Sequence, residues 1–163
     1  MPEPQDRLEI GFRLNGEARR ITVQVRQHLA DFLREELELT GTHLGCEHGV
    51  CGACTVVLDG EPVRACLVLA VQVDGRTVET IEGAVASGRV DDLVDAFQAR
   101  NAGQCGFCSP AMILTAAHLL SSQTSPSRQE VREHLSGNYC RCTGYEAIVD
   151  AVMLTATGRL QQP

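Results

Sequence analysis

The chain has 163 residues, 44% hydrophobic but only 4% aromatic and without tryptophan, and its formal net charge is −7. That length suits one ordinary domain or two small modules. The acidic balance argues against a nucleic-acid partner, which calls for basic patches, and the sequence holds no charge-free apolar run of about 18 residues that could cross a membrane.

The opening Met-Pro-Glu-Pro-Gln-Asp carries neither a basic segment, nor an apolar one, nor a twin-arginine pair, so a cytoplasmic location is expected. Residues 8–14 alternate apolar with other side chains, Asn15-Gly16 is a tight-turn dipeptide, and Ile21, Val23 and Val25 alternate again. The pattern predicts a β-hairpin. Leu29, Phe32, Leu33 and Leu37 recur at helical intervals, which predicts a helix over 28–39 with Gly41 as its stop. Strands are expected at 55–58, 63–73 and 77–80, with Asp59-Gly60 as a turn. From Ile81 the period changes. Residues 81–90 read as a linker or short turn, and 91–100 as an amphipathic helix with Leu93, Val94 and Phe97 on one side. Ser109 as N-cap and Pro110 at the first position start a helix whose residues 111–120 are apolar on nearly every face. Such a helix is buried in a core or against a partner, and His118 within it is expected to be packed and hydrogen-bonded. Ser125-Pro126-Ser127 precedes a helix at 128–135 ended by Gly137, and a further helix covers 146–157 with Ile148, Val149, Val152 and Leu154 as its buried set.

All eight cysteines fall into two sets of four. Cys46, Cys51, Cys54 and Cys66 read C-x4-C-x2-C with a fourth cysteine across eleven intervening residues, the spacing of a plant-type 2Fe-2S cluster. Cys105 and Cys108 form a CxxC, joined across 31 residues to the CxC of Cys140 and Cys142. Thiolate supplies the anionic, polarisable ligand that ferric iron and bridging sulfide require. Glycines 45, 49 and 52 let the first loop wrap a cluster closely. A helix N-terminus directly after Cys108 favours the negative charge of a second. With two oxidised clusters the charge becomes about −11, and ligation then supplements a core short of aromatics.

Other uses of these cysteines fit less well. A disulfide framework suits a small secreted domain. Zinc requires ligand pairs closer together than Cys54 and Cys105, between which 50 residues intervene. A thioredoxin-type reading of either CxxC lacks a βαβ unit and leaves four cysteines unexplained. A Rieske centre needs two imidazoles on one iron; Cys46-Glu47-His48 begins that pattern, but Leu69 stands where the second histidine belongs, so His48 is read as a solvated loop residue or, at most, a hydrogen-bond donor near the cluster.

Three stretches carry a resemblance: Gly45 through Thr55, Gln104 through Pro110, and Gly137 through Tyr145. Together they closely resemble the iron–sulfur portion of the xanthine oxidase family of molybdenum hydroxylases. The resemblance implies an α+β chain, with an N-terminal β-grasp ferredoxin domain at 1–80 and an all-α helical-bundle 2Fe-2S domain at 81–163. It implies a separate small subunit of the carbon monoxide dehydrogenase, aldehyde or N-heterocycle oxidoreductase type. Such a subunit passes electrons from molybdopterin, in a dinucleotide form on a large partner subunit, to FAD on a medium one, within a heterotrimer or a dimer of heterotrimers. Cys105, Cys108, Cys140 and Cys142 would hold the cluster on the molybdenum side, and Cys46, Cys51, Cys54 and Cys66 the one on the flavin side. Gln104, whose amide can both donate and accept, and Cys142 would contact the molybdopterin. Arg141, between two ligands, would either raise the cluster potential or form an ordinary salt bridge. No catalytic residue is expected in this chain. A free-standing two-cluster ferredoxin and a zinc-stabilised interaction module remain as alternatives.

Overall fold

The computed structural model describes residues 6–160; the first five residues and the last three, with the reading of the N-terminus placed on them, lie outside the described residues. Strands β1 (Arg7–Leu14) and β2 (Glu17–Gln24) pair antiparallel, with Ile10 opposite Ile21 and Leu14 opposite Glu17. Asn15 and Gly16 turn the chain with φ of 51° and 88°, the two positive values of a type I′ turn. Asn15 also exchanges hydrogen bonds with Thr80, so the hairpin tip is tied to a distant strand end. Strands β3 (Thr55–Leu58), β4 (Glu61–Arg64) and β5 (Thr77–Glu79) complete a mixed sheet of order β2-β1-β5-β3-β4, with β5 parallel to β1 and antiparallel to β3.

The helix expected over 28–39 is shorter. It comprises α1 (Leu29–Asp31), capped by His28, and a π-helical turn at Phe32–Glu36. Glu38, with φ of 57°, ends it three residues before Gly41. Gly41 serves packing instead: a Cβ there would come within 2.5 Å of Ile81 Cγ2, and its N–H donates to Glu82 Oε1 at 2.8 Å. The strand expected over 63–73 stops at Arg64 and gives way to 3-10 turns at Ala65–Leu67 and Ala70–Val73. Burial of Ala65, Cys66, Ala70 and Val73 against the sheet produced an apolar run that single-sequence reading takes for a strand.

Beyond β5 the regular elements of the described residues are helical: α2 (Ile81–Ala86), α3 (Asp91–Ala99), α4 (Ser109–Ser122), α5 (Arg128–Leu135) and α6 (Glu146–Leu160). The segment read as a linker therefore begins with a helix, seated on Gly41 and on Asn15, which a Cβ at Gly83 would strike. The core forms two clusters. One joins Ile10, Phe12, Phe32, Leu33 and Val56 with Cys54 and Cys66; the other joins Leu93, Phe97, Met112, Leu114 and Ile148 with Cys108. Residues 111–120 of α4 are buried except for the half-buried His118, so this helix is the centre of the second core and its apolar faces are covered by this chain itself. His118 stacks on His134 and reaches Glu61 at 3.4 Å. Leu154, expected in the buried set of α6, is exposed.

Candidate metal centres and the bridge between them

No cysteine is in a disulfide. The loop from Gly45 to Cys54 curls back on itself because Glu47, Gly49 and Gly52 have φ of 56°, 84° and 74°. This fold turns backbone N–H groups toward sulfur. The Cys51 N–H lies 3.3 Å from Cys46 Sγ, and it, with the N–H groups of His48 and Val50, lowers the Cys46 thiol to about 6. At the base of the loop Cys54 is buried beside Cys66, which arrives on the 3-10 turn after β4. Burial, and then the neighbouring Cys66 and Cys51, push Cys54 up to about 11.

The second set repeats this pairing. Cys108 is buried at the N-cap of α4, and burial together with Cys140 pushes its thiol up to about 12. The N-cap is thus Cys108 itself and not Ser109, which is the first helical residue and whose Oγ is buried without a partner. At Cys140 burial pushes the thiol up, but hydrogen bonds from Thr143 Oγ1 (3.1 Å) and from the N–H groups of Cys142 and Thr143 outweigh it and leave it lowered. Cys105 and Cys142 are exposed with their sulfurs 3.6 Å apart, and that contact raises Cys142. Among the described residues no three His, Cys, Asp or Glu side chains close around a point for a single ion. The thiols meet in pairs instead, among them Cys54 with Cys66, Cys108 with Cys140 and Cys105 with Cys142. Such a donor set suits a two-iron, two-sulfide core, which takes two thiolates on each iron. Bound cations also reverse the cost of ionising buried thiols such as Cys54 and Cys108.

The two sites are joined by contacts that the sequence did not reveal. The Cys51 carbonyl accepts a 2.9 Å hydrogen bond from the N–H of Tyr139, the residue before Cys140. On the other side of the loop His43 stacks on Phe107 with ring centroids 4.7 Å apart, and His43 Nδ1 lies 2.7 Å from the Phe107 carbonyl. Behind both, the buried Asn138 touches Gly52, Thr55 and Thr115, and Arg64 spans Thr55 and Gly137. A loop Asn between Gly and Tyr reads as a turn residue, and nothing in its neighbours signals burial. Gln104 is exposed beside Cys105, and Arg141 is exposed beside Cys142. His48 is exposed, its ring against the Cys46 carbonyl.

Residues 12–84 match the profile described as the 2Fe-2S iron-sulfur cluster binding domain, and residues 80–153 match that of the 2Fe-2S binding domain. The nicotine 6-hydroxylase small subunit of Paenarthrobacter nicotinovorans is 50% identical over 159 residues, which span 98% of this chain and 95% of that subunit. The chain belongs to the iron–sulfur small subunits of the xanthine oxidase family of molybdenum hydroxylases. A second member of that family, the caffeine dehydrogenase subunit gamma of Pseudomonas sp. (strain CBB1), is 49% identical over 88% of this chain and 87% of its own. The crystal structure of quinoline 2-oxidoreductase from Pseudomonas putida 86 superposes with a TM-score of 0.88 at 45% identity, covering 98% of this chain and all of that one, 100%. As in these relatives, the chain is the iron–sulfur component of an oxidoreductase, with an α+β fold of two 2Fe-2S binding domains in succession. No helix among the described residues is long and apolar enough to cross a membrane.

Proposed function

We propose that this subunit carries single electrons between two partner subunits, entering at the Cys105 side and leaving at the Cys46 side. The observation that carries the reading is the bridge from the Cys51 carbonyl to the Tyr139 N–H, which links the cysteine sets through one hydrogen bond. When bound, the two clusters supply one-electron stations between the molybdopterin of a large partner, in a dinucleotide form, and the FAD of a medium one. Cys46, Cys51, Cys54 and Cys66 hold the flavin-side cluster in the β-grasp domain at 1–80, and Cys105, Cys108, Cys140 and Cys142 hold the molybdenum-side cluster in the helical bundle at 81–163. The separate hydrophobic clusters on either side of Val78 and Ala84 support that boundary. Backbone N–H groups around Cys46 and the Thr143 hydroxyl on Cys140 stabilise negative charge on sulfur, the means by which a protein tunes cluster potential. Gln104 and Cys142 face the molybdopterin; their exposure beside the Cys105 sulfur supports that role.

A docked subunit explains the exposed apolar residues flanking the cysteines better than a diffusible carrier does. Leu67 is 63% exposed directly after Cys66, Val50 is 49% exposed directly before Cys51, and Tyr139 is 55% exposed directly before Cys140. The α4 helix does not bear on this choice, since its own chain covers it. The assembly is a heterotrimer or a dimer of heterotrimers in the cytoplasm, and substrate choice lies in the large partner. Nicotine, caffeine and quinoline, which name three similar enzymes, share a nitrogen heterocycle, so compounds of that class are the first to screen.

The complex, purified and reduced with dithionite, should contain four irons and four labile sulfides for each copy of this chain and give two distinct paramagnetic signals. Zinc in place of iron, or a single cluster, would overturn the assignment.

A further inference from the structure

Two clusters held on separate halves of a chain exchange electrons at a rate that falls steeply with the gap between them, so whatever fixes that gap sets the coupling. Among the contacts crossing between the halves beside the cysteines, the buried side-chain ones centre on Asn138, which is only 2% exposed. Its Nδ2 donates to the Gly52 carbonyl at 3.1 Å and to Thr55 Oγ1 at 3.3 Å. Gly52 lies in the turn between Cys51 and Cys54, and Thr55 directly follows Cys54. On the opposite side Oδ1 lies 3.3 Å from Thr115 Oγ1 of α4, whose hydroxyl proton is shared with the Ala111 carbonyl at 2.8 Å, and the main-chain N–H donates to the Leu135 carbonyl at the end of α5 at 2.9 Å. One residue therefore ties the first cysteine loop to two helices of the second domain.

Thr55 is the hub on the facing side. Its hydroxyl donates to the Gly52 carbonyl at 2.6 Å and accepts from Arg64 Nη1 at 2.5 Å, while Arg64 Nη2 donates to the Gly137 carbonyl at 2.7 Å. The backbones meet without slack, because a Cβ on Gly52 would overlap the Gly137 carbonyl. Immediately beyond this bracket come Tyr139, whose N–H is on the Cys51 carbonyl, and Cys140. Asparagine suits the position because its amide donates to one domain and accepts from the other. A carboxylate could not donate to Gly52, and an aliphatic side chain would leave buried hydroxyls and a carbonyl without this partner.

We infer that Asn138 is a positioning residue for electron transfer: it holds the Tyr139 N–H on the Cys51 carbonyl and so fixes the separation of the two clusters. The inference rests on the two-cluster reading proposed above, and its test separates the two. Asn138→Ala and the volume-conserving Thr55→Val are made in the complex with its partner chains, which is reduced with dithionite and examined by low-temperature EPR. In Asn138→Ala four irons, four sulfides and each cluster's own signal should persist, while the spin–spin splitting between the reduced clusters weakens. Electron equilibration between them after flash reduction should become slower than in the unsubstituted complex. Thr55→Val should weaken the splitting in the same direction. Splitting and equilibration rate unchanged in both variants would overturn the inference. Loss of one cluster in Asn138→Ala would also overturn it, because the residue would then belong to that cluster's own fold. Fewer than four irons in the unsubstituted complex would overturn the two-cluster reading itself.

Discussion

Replacing Gly52 by alanine tests how tightly the domains are pressed together at the bridge. Gly52 has φ of 74°, and a Cβ there would overlap the Gly137 carbonyl and stand 2.9 Å from Asn138 Cα. Gly75, with φ of 72° and nothing within 4 Å of its added Cβ, is the matched control. Both substitutions place an L side chain in the left-handed region, at a cost of about 1–2 kcal/mol. Only Gly52→Ala adds an overlap, and it is with backbone, which cannot rotate away as a side chain would; overpacking of this kind costs about 1–3 kcal/mol. At 1.4 kcal/mol per factor of ten, that difference corresponds to roughly 5- to 150-fold. Cluster loss makes unfolding irreversible, so the quantity to measure is the rate at which visible absorbance bleaches in fixed denaturant. Gly52→Ala should bleach faster than Gly75→Ala by up to that factor, the full effect appearing if the contact is already broken in the unfolding transition state. Equal rates for the two variants would refute the reasoning that relief of this overlap speeds unfolding.

Other consequences can be checked separately. Cys105→Ser should remove the helical-domain cluster, leave the plant-type signal intact and block flavin reduction by substrate; normal flavin reduction would refute the proposed direction of flow. Gln104→Ala should slow electron exchange with the molybdenum centre or lower molybdopterin content while both clusters persist, as read by iron and pterin analysis. In the α5 cap, the Ser127 hydroxyl and N–H and the Gln123 amide hold the Glu130 carboxyl at about 2, below its ordinary 4.5. Because the folded value is the lower one, its stabilisation is present above pH 4.5 and is lost as pH falls toward 2. The gap in thermal stability between the unsubstituted chain and Glu130→Ala should therefore narrow across that window, with a constant gap counting against the capping role. Ser127→Ala should cost about 1 kcal/mol near neutral pH, measured by helix-sensitive circular dichroism.

Cysteine spacing alone carried the chemistry of this protein, because a metal core imposes its ligand geometry on the chain through short, fixed loops. The hairpin at Asn15-Gly16, the turn at Asp59-Gly60 and the capped start of α5 were equally legible, since each depends on residues adjacent in sequence. Errors collected where distant segments decide local form. The run at 63–73 bends into 3-10 turns to bring Cys66 beside Cys54, and the supposed linker becomes α2 because Gly41, Asn15 and Thr80 form its seat. Likewise Gly41, read as a helix stop, and Gly52, read as a glycine that wraps the first loop, each mark a close approach, Gly41 to the side chains of Ile81 and Glu82 and Gly52 to the backbone of Gly137 and Asn138. The sequence by itself determined the spacing that divides eight cysteines into two sets of four, the order of those sets, and the family to which the chain belongs. Only the tertiary structure decided that Tyr139 meets Cys51, that Asn138 and Arg64 hold them there, and that α4 is spent on this chain's own core. Packing across more than 70 residues of sequence is what makes the contacts of Tyr139, Asn138 and Arg64, and no local pattern encodes it.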